Sequence, residues 1–287
     1  MESPPAVRRV VLVILDGLRA DAVPLFQLPI LAAVARCGTA TFAATTVRPS
    51  ITSAAMTSLF TGVSPRVHGV DRDGFCVPRL RDPSLLLTRI LRRHGRPVRI
   101  FLRGVPRAYR GLVERMAGYL DADVHTGGDD AEEILDAALP SVRAGAPGVE
   151  FIHWPDADNA GHRHGWMSSQ YADAARRLDR ALGRLIEASG ILTDPHSVLI
   201  ALADHGGGGR VARNHESSHP LDTTIPIVFA GGPVSTGELA PMTSLLDIPA
   251  TITWIFGIQQ PASYPGRPLI EAFADSTPAA VASSGRF

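Results

Sequence analysis

Three short stretches of this 287-residue chain each bring acid and imidazole side chains together, and a fourth offers a hydroxyl. In Leu199-Ile200-Ala201-Leu202-Ala203-Asp204-His205-Gly206 an apolar run ends in an acid beside an imidazole, and the glycines that follow free the backbone to turn. In Asp156-Ala157-Asp158-Asn159-Ala160-Gly161-His162-Arg163-His164, Asp158 and His162 stand four apart, so one helical turn would aim both at a single ion. Asp156 and His164 compete for the same assignment. Arg213-Asn214-His215-Glu216-Ser217-Ser218-His219-Pro220 supplies two further imidazoles. Pro49-Ser50-Ile51-Thr52-Ser53 reads as the entry from a strand into a helix, where a hydroxyl meets free N–H groups and the positive end of the helix dipole, which suit a phosphate. Taken singly, each stretch also fits an ordinary helix cap or a polar loop. Together with Asp16, which ends the first apolar run, they give three Asp, three or four His and one hydroxyl, the inventory for two divalent ions bridged by a hydroxyl nucleophile.

Such a set works only if the fold gathers it. Val10-Val11-Leu12-Val13-Ile14-Leu15 is a continuous aliphatic run, the pattern of a strand buried on both faces, and it stops at Asp16-Gly17. Similar runs recur at 98–102, 149–152, 198–203 and 225–230, separated by helical stretches at 25–35, 84–93, 131–142, 170–188 and 242–255. This alternation predicts an α/β fold with a mostly parallel sheet covered on both faces. In open sheets of that kind the chemistry sits beyond the carboxyl ends of the strands. Asp16, His153 followed by Asp158, and Asp204-His205 all arrive there. The spacing predicts one catalytic domain over 1–274, with the Arg-rich stretch 75–148 as a small insertion or cap-like segment and 275–287 as a fraying tail.

Composition narrows the chemistry. All 28 basic residues are Arg, which excludes Schiff-base, Ser-Lys and phosphate-loop lysine mechanisms. They balance 28 acidic residues, so no global field holds a nucleic-acid polymer or an anionic membrane. Cys37 and Cys76 cannot staple a chain this long. The apolar run at 10–15 is too short for a membrane span or a leader, and the expectation is a cytoplasmic protein.

Four blocks in order resemble the alkaline phosphatase superfamily, in its type I phosphodiesterase/nucleotide pyrophosphatase branch. They are the strand ending in Asp16-Gly17; Pro49-Ser50-Ile51-Thr52 running on to Leu59-Phe60-Thr61-Gly62, Pro65 and His68-Gly69-Val70; Asp158-Asn159-Ala160-Gly161-His162 with Gly165; and Asp204-His205-Gly206 with a later His and Ile225-Pro226. Leu246-Asp247-Ile248 and Gly266-Arg267-Pro268-Leu269 extend the likeness, which covers roughly residues 9 to 273. The resemblance implies a three-layer αβα sandwich and a two-metal site, with zinc the expected ion and manganese the alternative. Asp16, Asp204 and His205 would hold one ion beside the Thr52 oxygen. Asp158, His162 and a third His would hold the other; family spacing favours His215, with His219 the alternative. Thr52 would attack phosphorus and form a phospho-threonine intermediate. The position at which this branch often carries an Asn against a phosphoryl oxygen falls on Asp73, whose carboxylate would repel a phosphate unless protonated or paired with an Arg.

The resemblance therefore implies a phosphoric ester hydrolase acting on a small phosphate ester such as a nucleotide. Phosphodiesterase leads; phosphomonoesterase or phosphonate-cleaving hydrolase is the alternative and would need an extra cation, for which Arg19, Arg48, Arg72 and Arg103 are candidates. Sulfatases use a modified Cys or Ser followed by Pro and Arg, which Thr52-Ser53-Ala54-Ala55-Met56 lacks. A metal-stabilised binding protein without catalysis should lack a ligand or the nucleophile, and none is missing. Pocket walls are expected around Phe75, Trp154, Trp166 and Tyr264, with Phe75 or Trp166 either stacking on a nucleobase or packing locally.

Overall fold

Seven consecutive residues, Arg9–Leu15, form β1, and every one of them is buried. The computed structural model describes residues 4–74 and 78–273, so Phe75, Cys76 and the tail at 275–287 lie outside the described residues. The remaining strands are β2 (Thr39–Thr45), β3 (Val98–Leu102), β4 (Asp123–Thr126), β5 (Gly148–Trp154), β6 (Ser197–Leu202), β7 (Thr224–Ala230) and β8 (Gly237–Glu238). They make one sheet in the order β4-β3-β5-β1-β6-β7-β2-β8. β1 lies parallel between β5 and β6, and among the described strands only β7 runs antiparallel to its neighbours. The expected α/β sheet is therefore present, mostly parallel and fully buried at its centre, as continuous aliphatic strands require. From the Arg-rich stretch, β3 and β4 join this same sheet.

Helices cover both faces. Pro29–Cys37, Ala131–Ala144 and Ser169–Ser189 pack together on one face; Thr52–Thr61, Leu87–Arg93 and Asp247–Ile255 pack on the other. Three expected helices differ in extent. The stretch 25–35 is two helices, Ala22–Leu25 and Pro29–Cys37, because Gln27 takes a left-handed φ of 53° and Pro29 opens the second at its first position. The stretch 84–93 begins as a 3-10 turn at Pro83–Leu85. The stretch 242–255 starts only at Asp247, since Met242 has φ 69° and stands exposed. Among the described residues no helix is long and apolar enough to cross a membrane.

The adjacency of β5, β1 and β6 positions the site. Three neighbouring parallel strands end at the same edge, so the residues following each arrive side by side.

Candidate active site

Asp16 is the first residue after β1, and its N–H donates to the Trp154 carbonyl at 3.0 Å. Gly17 follows with φ 70°. A Cβ on Gly17 would lie 2.8 Å from Asp158 Cα, so only glycine lets the helix Asp156–His164 approach β1 this closely. The contact is tied on both sides: Asp158 N–H donates to the Asp16 carbonyl at 3.0 Å, and Gly17 N–H donates to Asp204 Oδ1 at 3.2 Å. Trp166 Nε1–H and the Tyr171 hydroxyl both donate to the Gly17 carbonyl, at 3.0 and 2.9 Å. One glycine thus locks together the three segments that carry the acids.

Two three-donor groups result, Asp16 with Asp204 and His205, and Asp158 with His162 and His215. In the first, His205 Nε2 is 3.3 Å from Asp16 Oδ1 and 3.6 Å from Asp204 Oδ2. In the second, Asp158 Oδ1 is 3.4 Å from His162 Nε2 and 3.6 Å from His215 Nε2, and the two Nε2 atoms are 3.0 Å apart. The His205 and His215 rings stack at 3.9 Å and 10°, which joins the groups. The first group is sealed, whereas the His162 side chain is 45% exposed, so the second faces solvent.

Thr52 is the first residue of the ten-residue helix Thr52–Thr61. Its Oγ1 lies 3.1 Å from His205 Nε2 and 3.4 Å from Asp16 Oδ1. His68 secures this helix from behind. Val70 N–H donates to its Nδ1, which leaves Nε2–H to donate to Ser58 Oγ at 3.0 Å, and burial pushes the imidazole down to about 4, so it stays neutral.

The donor chemistry fits divalent metals. Nδ1 of His162, His205 and His215 each faces a backbone carbonyl, of Arg213, Gly206 and Ser50, at 3.0, 2.8 and 2.6 Å. A carbonyl oxygen can only accept, so each Nδ1 keeps its proton and Nε2 is left to hold a second proton or a metal. Asp158 Oδ1 and Asp204 Oδ2 are buried and find no hydrogen-bond partner among the described residues. Ligands about 2.0–2.1 Å from a tetrahedral ion stand roughly 3.3 Å from one another, and the spacings of 3.0 to 3.6 Å bracket that value.

Charge points the same way. Burial, reinforced by the Asp16 charge, pushes the Asp158 carboxyl up to about 8 and Asp204 up to about 6. Burial opposes charge on His205, yet Asp204 and Asp16 outweigh it and hold its imidazole well above the ordinary value. Burial, with the His205 charge behind it, pushes His215 down to about 4. Without cations the pocket takes up protons instead. The raised groups bind more protons in the folded chain than in the unfolded one, so the stability they give is present at low pH and lost as pH rises through their folded values. His215 and His68 titrate below that range. The metal-free chain should therefore melt at a lower temperature at pH 8 than at pH 6.5, and saturating Zn²⁺ should remove the fall; a melting temperature that rises with pH without metal would contradict this.

The structure sorts the competing residues. Asp156 turns away and accepts from Ala131 N–H at 2.8 Å and Arg177 Nε–H at 3.3 Å. His164 belongs to neither group. His219 stands apart as well, its Nδ1 capping the short helix Pro220–Thr223 by accepting from Leu221 N–H at 3.2 Å. Asp73 Oδ1 accepts from Ser53 N–H at 3.3 Å, next to Thr52. The expected aromatic walls are not walls: Trp154, Trp166 and Tyr264 are buried. Trp166 fills the space beside Gly161 and Gly207 and meets the His162 and His215 rings edge-on, so it braces these imidazoles rather than standing open to stack on a base.

Sequence alone gives His153 no role beyond the end of a strand-like run. Its Nε2 lies 3.1 Å from Asp16 Oδ2, on the side of the carboxylate away from His205. Its position in β5 opposite Ile14 of β1 was the available signal. Outer partners of this kind orient a ligating carboxylate and are worth about 10–100-fold in metal affinity. If Asp16, Asp204 and His205 hold an ion, His153→Phe should weaken its binding by that factor in a zinc titration; an unchanged affinity would remove His153 from the site.

The type I phosphodiesterase / nucleotide pyrophosphatase family model matches residues 10–226. Among curated proteins the chain is similar to a 2,3-bisphosphoglycerate-independent phosphoglycerate mutase of Syntrophotalea carbinolica, 31% identical over 142 residues that cover 49% of this chain and 27% of that protein. The chain spans about a quarter of the length of such curated relatives. Among solved structures it is similar in fold to murine ectonucleotide pyrophosphatase / phosphodiesterase 5, an inactive variant in complex with AMP (TM-score 0.68, 11% identity, 95% of this chain and 100% of that one). The alkaline phosphatase PafA is similar too (TM-score 0.67, 13% identity, 96% and 100%).

Proposed function

The chain belongs to the type I phosphodiesterase / nucleotide pyrophosphatase family, and from that premise we propose that it is a two-metal phosphodiester hydrolase with Thr52 as nucleophile. The observation that carries this reading is the Thr52 hydroxyl at the open end of its helix, 3.1 Å from His205 and 3.4 Å from Asp16, with the second donor group joined to the first through stacked imidazoles. Asp16, Asp204 and His205 would hold one ion, and Asp158, His162 and His215 the other. Divalent ions there, zinc or manganese, would supply the positive charge that makes the threonine oxygen nucleophilic and neutralises the leaving oxygen.

Thr52 Oγ1 attacks phosphorus in line. The P–Oγ1 bond forms as the bond to the leaving alkoxide breaks; the hydroxyl proton passes to solvent, and the departing alkoxide takes up a proton from solvent to leave as the alcohol. Water then attacks the phospho-threonine, breaks P–Oγ1 and restores the hydroxyl. The N-terminus of the helix Thr52–Thr61 turns its dipole toward the phosphoryl charge throughout. A small phosphate ester such as a nucleotide is the substrate class, which the AMP in the murine relative supports. A diester fits better than a monoester or phosphonate, because two of the candidate cations are already engaged: Arg19 with Asp21 and Arg103 with Asp129.

Chelation should abolish hydrolysis of bis-p-nitrophenyl phosphate, and added zinc or manganese should restore it. Full activity in metal-free protein would end this reading.

A further inference from the structure

We propose that Asp73 sets the substrate class of this site, selecting monoanionic phosphodiesters over dianionic monoesters. The inference rests on the reading of the site as a phosphoester hydrolase. Ser53 is the residue after Thr52, so its N–H belongs to the free end of the helix beside the nucleophilic oxygen. That N–H donates to Asp73 Oδ1 at 3.3 Å. A carboxylate oxygen and a phosphoryl oxygen are the same kind of acceptor, so the chain's own anion occupies a donor that a phosphoryl group at Thr52 would use.

The charge is held in place. Gly74 N–H donates to Ser53 Oγ at 3.2 Å, and Ser53 Oγ–H faces the Gly74 carbonyl at 3.3 Å, which ties the segment bearing Asp73 to the helix start. Among the described residues no guanidinium pairs with Asp73. An incoming phosphoryl group therefore meets a carboxylate held in place by the Ser53 N–H and without an ion-pair partner among the described residues. Repulsion grows with the product of charges, so a monoester dianion suffers about twice what a diester monoanion does. At an exposed position the extra charge corresponds to about a tenfold penalty.

The test measures kcat/KM for bis-p-nitrophenyl phosphate and p-nitrophenyl phosphate, which share a leaving group, at pH 8 with metal saturated, in the wild type and in Asp73→Asn. Asparagine keeps the shape and removes the charge. The expected result is a monoester gain of about a hundredfold against a diester gain of about tenfold, and tighter competitive inhibition by inorganic phosphate in the variant. In the wild type, raising the salt should narrow the gap between the two substrates. Equal changes for both substrates, or a loss on both with unchanged phosphate inhibition, would overturn the role of Asp73. A metal-loaded wild type that turns over neither substrate would instead sink the hydrolase reading itself.

Discussion

Replacing Thr52 by alanine should remove phosphodiester turnover while leaving the metal content of the chain intact. The separation follows from where the residue sits. Thr52 Oγ1 touches His205 and Asp16, but each of those side chains has its own anchors: His205 Nδ1 on the Gly206 carbonyl, and Asp16 between β1 and His153. Thr52 is also half-buried at a helix start whose backbone is held by the Ser58–His68 pair, so losing its hydroxyl leaves the helix in place. Loss of a covalent nucleophile typically costs about 10⁴-fold or more in kcat. Thr52→Ser, which keeps a hydroxyl, should retain measurable turnover and a trapped phospho-serine on acid quench. Undiminished rates in Thr52→Ala would dismiss the nucleophile.

The second large effect separates two histidines four residues apart in sequence. His215→Ala should halve the metal content and abolish turnover, because Asp158 and His162 alone offer too few donors and the ring that stacks on His205 is gone. His219→Ala should keep both ions and lower stability by no more than about 1 kcal/mol, the value of a lost cap on a short helix. Metal content by mass spectrometry on both variants decides the matter. The reverse pattern would exchange their roles.

Much of this arrangement was written in local sequence. The aliphatic runs that became β1 and β6 are buried throughout and could be little else; Asp16 follows the first by one residue, Asp204 follows the second by two, and His153 stands next to last in β5. The choice between Asp156 and Asp158 was not readable, because both are compatible with a helix; it is made by Ala131 and Arg177, which arrive from distant segments and claim Asp156. β2, with its small residues and partly exposed face, carries no strong strand pattern and exists because β7 pairs with it. β4 and β8 are short edge strands of the same kind, set by pairing rather than by composition. Trp166 stands between Gly165 and Met167, outside any helical or strand pattern, and reads as a loop aromatic, yet Gly161, Gly207 and Gly208 open the space it fills. His153 is the clearest omission: its role depends on which oxygen of Asp16 faces β5, a fact of strand register rather than of spacing.

The central claim is that two metal ions sit in the two donor groups beside Thr52. Anomalous diffraction at the zinc edge, from crystals of the zinc-loaded chain, tests it most directly. The account predicts two peaks, one about 2.0–2.2 Å from donors of Asp16, Asp204 and His205 and one equally close to donors of Asp158, His162 and His215. No peak at these groups, or peaks only at other residues, would contradict it.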